Sequence, residues 1–125
     1  MSAQSGALKV ALTPVTGTAV GGVLKLVNPE GADLIITRVV FDVTTKSTGA
    51  ATLDVGVDDD GATSNDTLMD GLDVGTAAGT FDNIENQGTN GKAAVSWPAG
   101  YFIVATASAS VAGLVGNAYI EYIRK

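Results

Sequence analysis

The chain has no cysteine and no histidine among its 125 residues. Without cysteine there are no disulfides, no thiolate zinc sites and no thiol nucleophile. Without histidine the commonest general base is missing, and a Ser-His-Asp triad cannot be built. Basic residues are scarce too: seven Lys and Arg stand against thirteen Asp and Glu, a formal charge of −6. A nucleic-acid groove needs clustered Lys and Arg to neutralise phosphate, so no nucleic-acid partner is expected. Long apolar runs are absent as well. Lys, Arg, Asp or Thr interrupts every stretch far short of a membrane span, so no membrane partner is expected. The opening Met1-Ser-Ala-Gln-Ser-Gly6 lacks a basic segment followed by an apolar one, which predicts no secretory leader and synthesis ending in the cytosol.

Helical patterning is missing as well. No stretch repeats apolar residues at i, i+3, i+4 and i+7 over three turns. Period-2 alternation recurs instead. In 33–45 one face reads Ile35, Thr37, Val39, Phe41 and Val43, with Arg38 and Asp42 on the other. Ala51, Leu53, Val55 and Val57 alternate with Thr52 and Asp54, and Ala118, Ile120 and Tyr122 with Asn117, Tyr119 and Glu121. Such alternation marks half-buried antiparallel strands.

Turn residues separate them. Asn28-Pro-Glu-Gly31 precedes a strand beginning near Leu34, and Lys46-Ser-Thr-Gly49 reads as a tight hairpin connection into 51–57. Asp60-Gly61, Asp70-Gly71 and Asn90-Gly91 are further turn dipeptides. Strands are predicted near 8–12, 19–27, 34–44, 51–57, 67–72, 92–97, 101–110 and 115–123. In 58–90 a long loop and short strands are equally compatible with the pattern. About eight strands at turn-punctuated spacing predict an all-β, antiparallel β-sandwich. It forms a single domain over 8–125, behind a flexible arm at 1–7. A short echo, Leu53-Asp-Val-Gly56 and Leu72-Asp-Val-Gly75, reads as two similar strand ends.

Charge is unevenly distributed. Nine acids and no base lie between Lys46 and Lys92: Asp54, Asp58, Asp59, Asp60, Asp66, Asp70, Asp73, Asp82 and Glu85. The remainder holds four acids and all seven bases, a balance of +3. Asp58-Asp-Asp-Gly61 resembles the start of an EF-hand loop, but Ala62 and Met69 stand where ligands at positions five and twelve belong. A looser cation site from Asp58, Asp60, Asp66 and Asp70 is the alternative to solvated turns. No metal ligand is assigned, and no cofactor.

Catalytic patterns are equally thin. Glycosidases need only two carboxylates, yet none here sits among apolar residues in a way that predicts a raised pKa. Gly17-Thr-Ala-Val-Gly21-Gly22 lacks the Lys-Ser/Thr pair of a phosphate loop. Asn65-Asp-Thr67 matches the glycosylation pattern by chance if the chain carries no leader. No catalytic residue is assigned, and the chain is not expected to be an enzyme. Trp97-Pro-Ala-Gly-Tyr101 is the most distinctive segment. Trp97 with Tyr101 reads either as a strand-end core aromatic or as a sugar-stacking platform. Some outward positions are apolar: Val23 and Val27 flank Lys25, and Val40 lies between Arg38 and Asp42. These three are candidates for a subunit interface.

Three segments in the second half carry a resemblance: Gly49-Ala-Ala-Thr-Leu-Asp-Val-Gly-Val57, Asp66-Thr-Leu-Met-Asp-Gly-Leu-Asp-Val-Gly75 and Gly79-Thr-Phe-Asp-Asn83. With Trp97–Tyr101 and Gly113-Leu-Val-Gly-Asn-Ala-Tyr-Ile-Glu-Tyr122, they resemble small decoration (cement) proteins of tailed-bacteriophage heads. The likeness covers about residues 20–124. It implies a jelly-roll-like sandwich, often trimeric, seated on the outer capsid surface against the major capsid protein, with no catalytic residues. It also implies an N-terminal capsid-contact arm, for which Ser2, Ala3, Gln4 and Ser5 are the candidates. The alternative is a carbohydrate-binding sandwich centred on Trp97 and Tyr101, or a fibre or tail piece.

Overall fold

A computed structural model of the chain describes residues 5–12 and 21–125. Within them lie nine strands and no helix. They are β1 (Ser5–Leu12), β2 (Gly21–Val27), β3 (Leu34–Thr45), β4 (Thr52–Asp58), β5 (Met69–Asp73), β6 (Gly79–Asp82), β7 (Val95–Trp97), β8 (Phe102–Ala107) and β9 (Val115–Arg124). The pairings are all antiparallel and make two sheets, β1-β9-β3-β6 with β7 also on β3, and β2-β8-β4-β5. β6 takes Val40–Val43 of β3 and β7 takes Leu34–Ile36, so the two occupy one strand position in halves.

First therefore pairs with last, second with next to last, third with β6 and β7, and fourth with fifth. That is a long hairpin rolled into two facing sheets, the strand order of a jelly roll. The predicted antiparallel sandwich is the fold observed. The sheets meet over Leu34, Ile36, Val39 and Phe41 of β3, Ala118 and Ile120 of β9, Leu53 and Val55 of β4, and Ile103 and Ala105 of β8, all buried.

Three details depart from the sequence pattern, and β6 falls where that pattern left a loop and short strands equally open. A bulge between Ile36 and Arg38 inserts one extra residue in β3. It turns Leu34 and Ile36 inward and leaves Thr37 exposed and Ile35 half-buried, the reverse of strict alternation. Lys46–Gly49 is no hairpin, because β3 and β4 belong to different sheets. It is an arch between layers, anchored where Ser47 N–H donates to Val74 O at 2.8 Å and Thr48 N–H to Ala112 O at 2.9 Å. β1 begins at Ser5, paired with Ile123, so Ser5–Ala7 belong to the sheet and not to an arm.

Candidate functional site

The residues singled out for association do not gather in one place. Ser2, Ala3 and Gln4 lie outside the described residues, and Ser5 is the first β1 residue paired to β9. Val23 is buried with the core, not turned outward: a bulge between Gly22 and Leu24 sends both Val23 and Leu24 inside. Val27 is 47% exposed at the far end of β2. Val40 lies half-buried on the other sheet, its β-partners Tyr119 on β9 and Asp82 on β6. Beside it Arg38 and Asp82 form an exposed ion pair. Val115, Tyr119 and Ile84 are exposed apolar residues that the interface reading missed. Tyr119 was legible as the outward member of the Ala118–Ile120 alternation; Val115 opens β9 and Ile84 lies in the turn after β6, where alternation gives no signal.

The aromatic segment is built as core. Trp97 is fully buried, its ring edge-on to Tyr122 with centroids 6.1 Å apart, and its Nε1–H donates to Tyr101 O at 3.0 Å. A buried indole has no face to offer a sugar. Tyr101 alone keeps 37% of its surface. The adjoining turns are fastened together by buried Asn28. Its Nδ2 donates to Ala32 O, Trp97 O and Pro98 O, and its Oδ1 accepts from Glu30 N. Glu30 in turn accepts from the Tyr122 hydroxyl and pairs with Arg124. Burial first, and then the Glu30 carboxylate, push the Tyr122 phenol above its ordinary range.

Chemistry-bearing groups are densest on the acidic side. Asp58, Asp59 and Asp60 form one turn in which three carboxylate oxygens come within 4.8 Å of one another. Half of the six carboxylate oxygens are already used: Asp58 Oδ2 accepts from Asp60 N and Gly61 N, and the two Asp60 oxygens from Ala62 N, Thr63 N and the Thr63 hydroxyl. The hydrogen bond with Asp58, then these amides, holds Asp60 well below the usual carboxylate range. Asp66 and Asp70 do not join this turn; they belong to a second group on the outer side of β4 and β5. There Asp54 accepts from Gly71 N, while Asp66 and Asp70 both hold Asn90. Burial pushes the Asp54 carboxyl up, the Gly71 amide pulls against it, and the Asp70 and Asp66 charges add to the rise.

Asn90 belongs to the segment that interrupts β6 and β7. Having left β6 at Asp82, residues 83–94 cross to the second sheet and run along β5. Asp70 N–H donates to Gln87 O at 2.9 Å and Lys92 N–H to Thr67 O at 2.9 Å. Asn83, fully buried, bridges the gap left on β3: its Oδ1 accepts from Val39 N at 2.8 Å, and its Nδ2 donates to Lys92 O and Ala93 O. One side-chain amide thus stands in for a missing piece of strand and spares the Val39 N–H burial without a partner.

Open clefts also lie among the described residues. One, of about 360 Å³, lies between the β2 bulge and Gly61–Ala62, with Val104 on its floor and Lys25 at its rim. The Lys25 ammonium sits 5.0 Å from the Phe102 ring centre. Another, of about 430 Å³, runs over Gly6, Ala7, Thr37 and Glu121 to Ile123. Neither brings a nucleophile against a base. No family model matches the chain, and no curated protein is significantly similar to it.

Proposed function

We propose that the chain is a structural subunit of a tailed-phage head, a decoration protein that binds the outer capsid lattice and stabilises it without chemistry. The observation that carries this is the strand order, first with last and second with next to last, which is that of many viral shell domains. The segments that resemble the cement proteins supply that framework: 49–57 holds all of β4 but its last residue, 66–75 contains β5, 79–83 contains β6 and 113–122 opens β9. Its partners are the major capsid protein and further copies of itself, as a trimer located on the virion.

Val27 and Val40, on different sheets, serve separate contacts in this scheme, and Val23 serves the core. The sugar-binding alternative loses its platform with the burial of Trp97. Mixing the purified chain with undecorated heads of the phage that encodes it should give saturable co-sedimentation. The free protein should scatter light as a trimer of the 12.5 kDa chain. Failure to bind heads at any concentration, or a monomer in solution at micromolar concentration, counts against the proposal.

A further inference from the structure

We infer that Asn90 is a hydrolytic modification site, at which spontaneous deamidation turns the clasp between residues 83–94 and β5 from attractive to repulsive. The chain has six asparagines, and Asn90 alone is followed by glycine. Asn28 precedes a proline, which has no N–H to react, and the others precede side chains that crowd the attacking nitrogen. Asn90 is exposed in a turn. Gly91 is held to glycine by its surroundings, because a Cβ there would run into the Gln87 and Leu68 carbonyl oxygens. No substitution that slows the reaction from position 91 fits without moving the backbone.

The chemistry needs only water. The Gly91 nitrogen attacks Asn90 Cγ, and a C–N bond forms while the Cγ–Nδ2 bond breaks. The Gly91 proton leaves with the amide as ammonia. The resulting succinimide adds one water and opens at either carbonyl, giving aspartate or iso-aspartate with no change of oxidation state. Gly91 N–H first has to leave Gln87 O, to which it donates at 3.1 Å, so reaction proceeds from the transiently opened turn.

The surrounding charges determine the effect of the new carboxylate. Asn90 Nδ2 donates to Asp66 Oδ2 at 3.0 Å, and Asn90 N–H donates to Asp70 Oδ2 at 3.3 Å. Asp54, on the neighbouring strand, feels both of those carboxylates. On the segment itself lie Glu85 and Lys92, and Lys92 is the first base in the sequence after Lys46. Deamidation deletes the donor facing Asp66 and installs a carboxylate in its place. Opening permits the reaction, and the product favours opening, so the change runs one way.

The test is to age the purified chain in mildly alkaline buffer and map its peptides by mass. Acid should accumulate at position 90 ahead of the other five asparagines, with iso-aspartate in the mixture. In Asn90→Asp, the Asp70 and Lys92 amides should exchange with solvent about fivefold faster at neutral pH. That difference should close once the pH falls below the carboxylate range. Should Asn90→Asp not fold, the deamidated fraction of aged wild type, separated by charge, gives the same comparison. Deamidation at 90 no faster than elsewhere, or unchanged exchange at Asp70 and Lys92, overturns the inference.

Discussion

Where β5 approaches β6 and β7, the 83–94 segment lies along the β5 edge through backbone bonds at Asp70 and Lys92, and Asn83 fills the gap in β3. On the opposite side, β1 pairs only with β9 and β2 only with β8 among the described residues. One edge of the sandwich is thus fastened by its own chain, while nothing among the described residues pairs with the outer side of β1 or β2. A covered edge cannot template pairing with another molecule, whereas an available one can. In the proposed decoration role, that asymmetry directs association with further copies and the lattice to the β1 and β2 side.

The largest effect is expected where packing and stitching coincide. Trp97→Ala removes the biggest buried side chain and its hydrogen bond to Tyr101 O. It should cost about 4 kcal/mol in a urea melt. Asn83→Ala comes next, at about 3 kcal/mol, because it strands the Val39 amide and the Lys92 and Ala93 carbonyls. Amide exchange separates the two edges in this variant. Protection should fall along 67–70 and stay unchanged in β1 and β2, and an equal loss on both sides would break the contrast.

Smaller effects come from charge. Asp54 has a folded pKa above its unfolded one, so its ionised form costs stability at neutral pH and the cost disappears as pH falls through the raised value. Asp54→Asn keeps the oxygen that accepts from Gly71 and should stabilise at neutral pH by less than about 1 kcal/mol, with no gain in acid. Asp60, Asp73 and Asp82 have the opposite sign. Their lowered pKa values, set chiefly by the partners Asp58, Thr76 and the Glu85 amide, give stability above the usual carboxylate range, lost as pH falls through them. Thermal melts across that range should show Asp54→Asn converging on wild type from above.

The smallest effect is expected at the N-terminus. Removing Met1–Gln4 should shift stability by less than about 0.5 kcal/mol, since β1 begins at Ser5, while weakening attachment to heads. Extending the deletion through Ala7 removes three paired positions of β1 and should destabilise the sheet. Equal head binding by the chain lacking Met1–Gln4 would remove those residues from the contact.

Alternation in 51–57 and 117–122 was enough to predict β4 and β9 and the inward turn of Leu53, Val55, Ala118, Ile120 and Tyr122, because β4 keeps an unbroken register with β8, and β9 with β1, which preserves period 2. Where one residue is inserted the rule inverts. The bulges at Ile36/Arg38 and Gly22/Leu24 hid the inward turn of Ile36 and Val23. The arch at Lys46–Gly49 has the composition of a hairpin turn, and only the sheet assignment of the strands it joins tells the two apart. Asn83 and Asn90 were illegible as clasps, since their partners Val39, Asp66 and Asp70 are set by the crossing of 83–94 between sheets. The acidic bias of 54–85 was plain from the sequence, but its division into the Asp58–Asp60 turn and the Asp54, Asp66 and Asp70 group was not.

Cementing is a thermodynamic claim, and calorimetry of heads titrated with the chain tests it most directly. A ligand that binds only the assembled shell raises its stability by RT ln(1 + [L]/Kd), about 2.7 kcal/mol per site at a hundredfold excess over Kd. The shell transition should climb with free protein concentration and keep climbing after the sites are full, as the logarithm of concentration. A transition that stays fixed while the heads are saturated with bound protein would contradict the account.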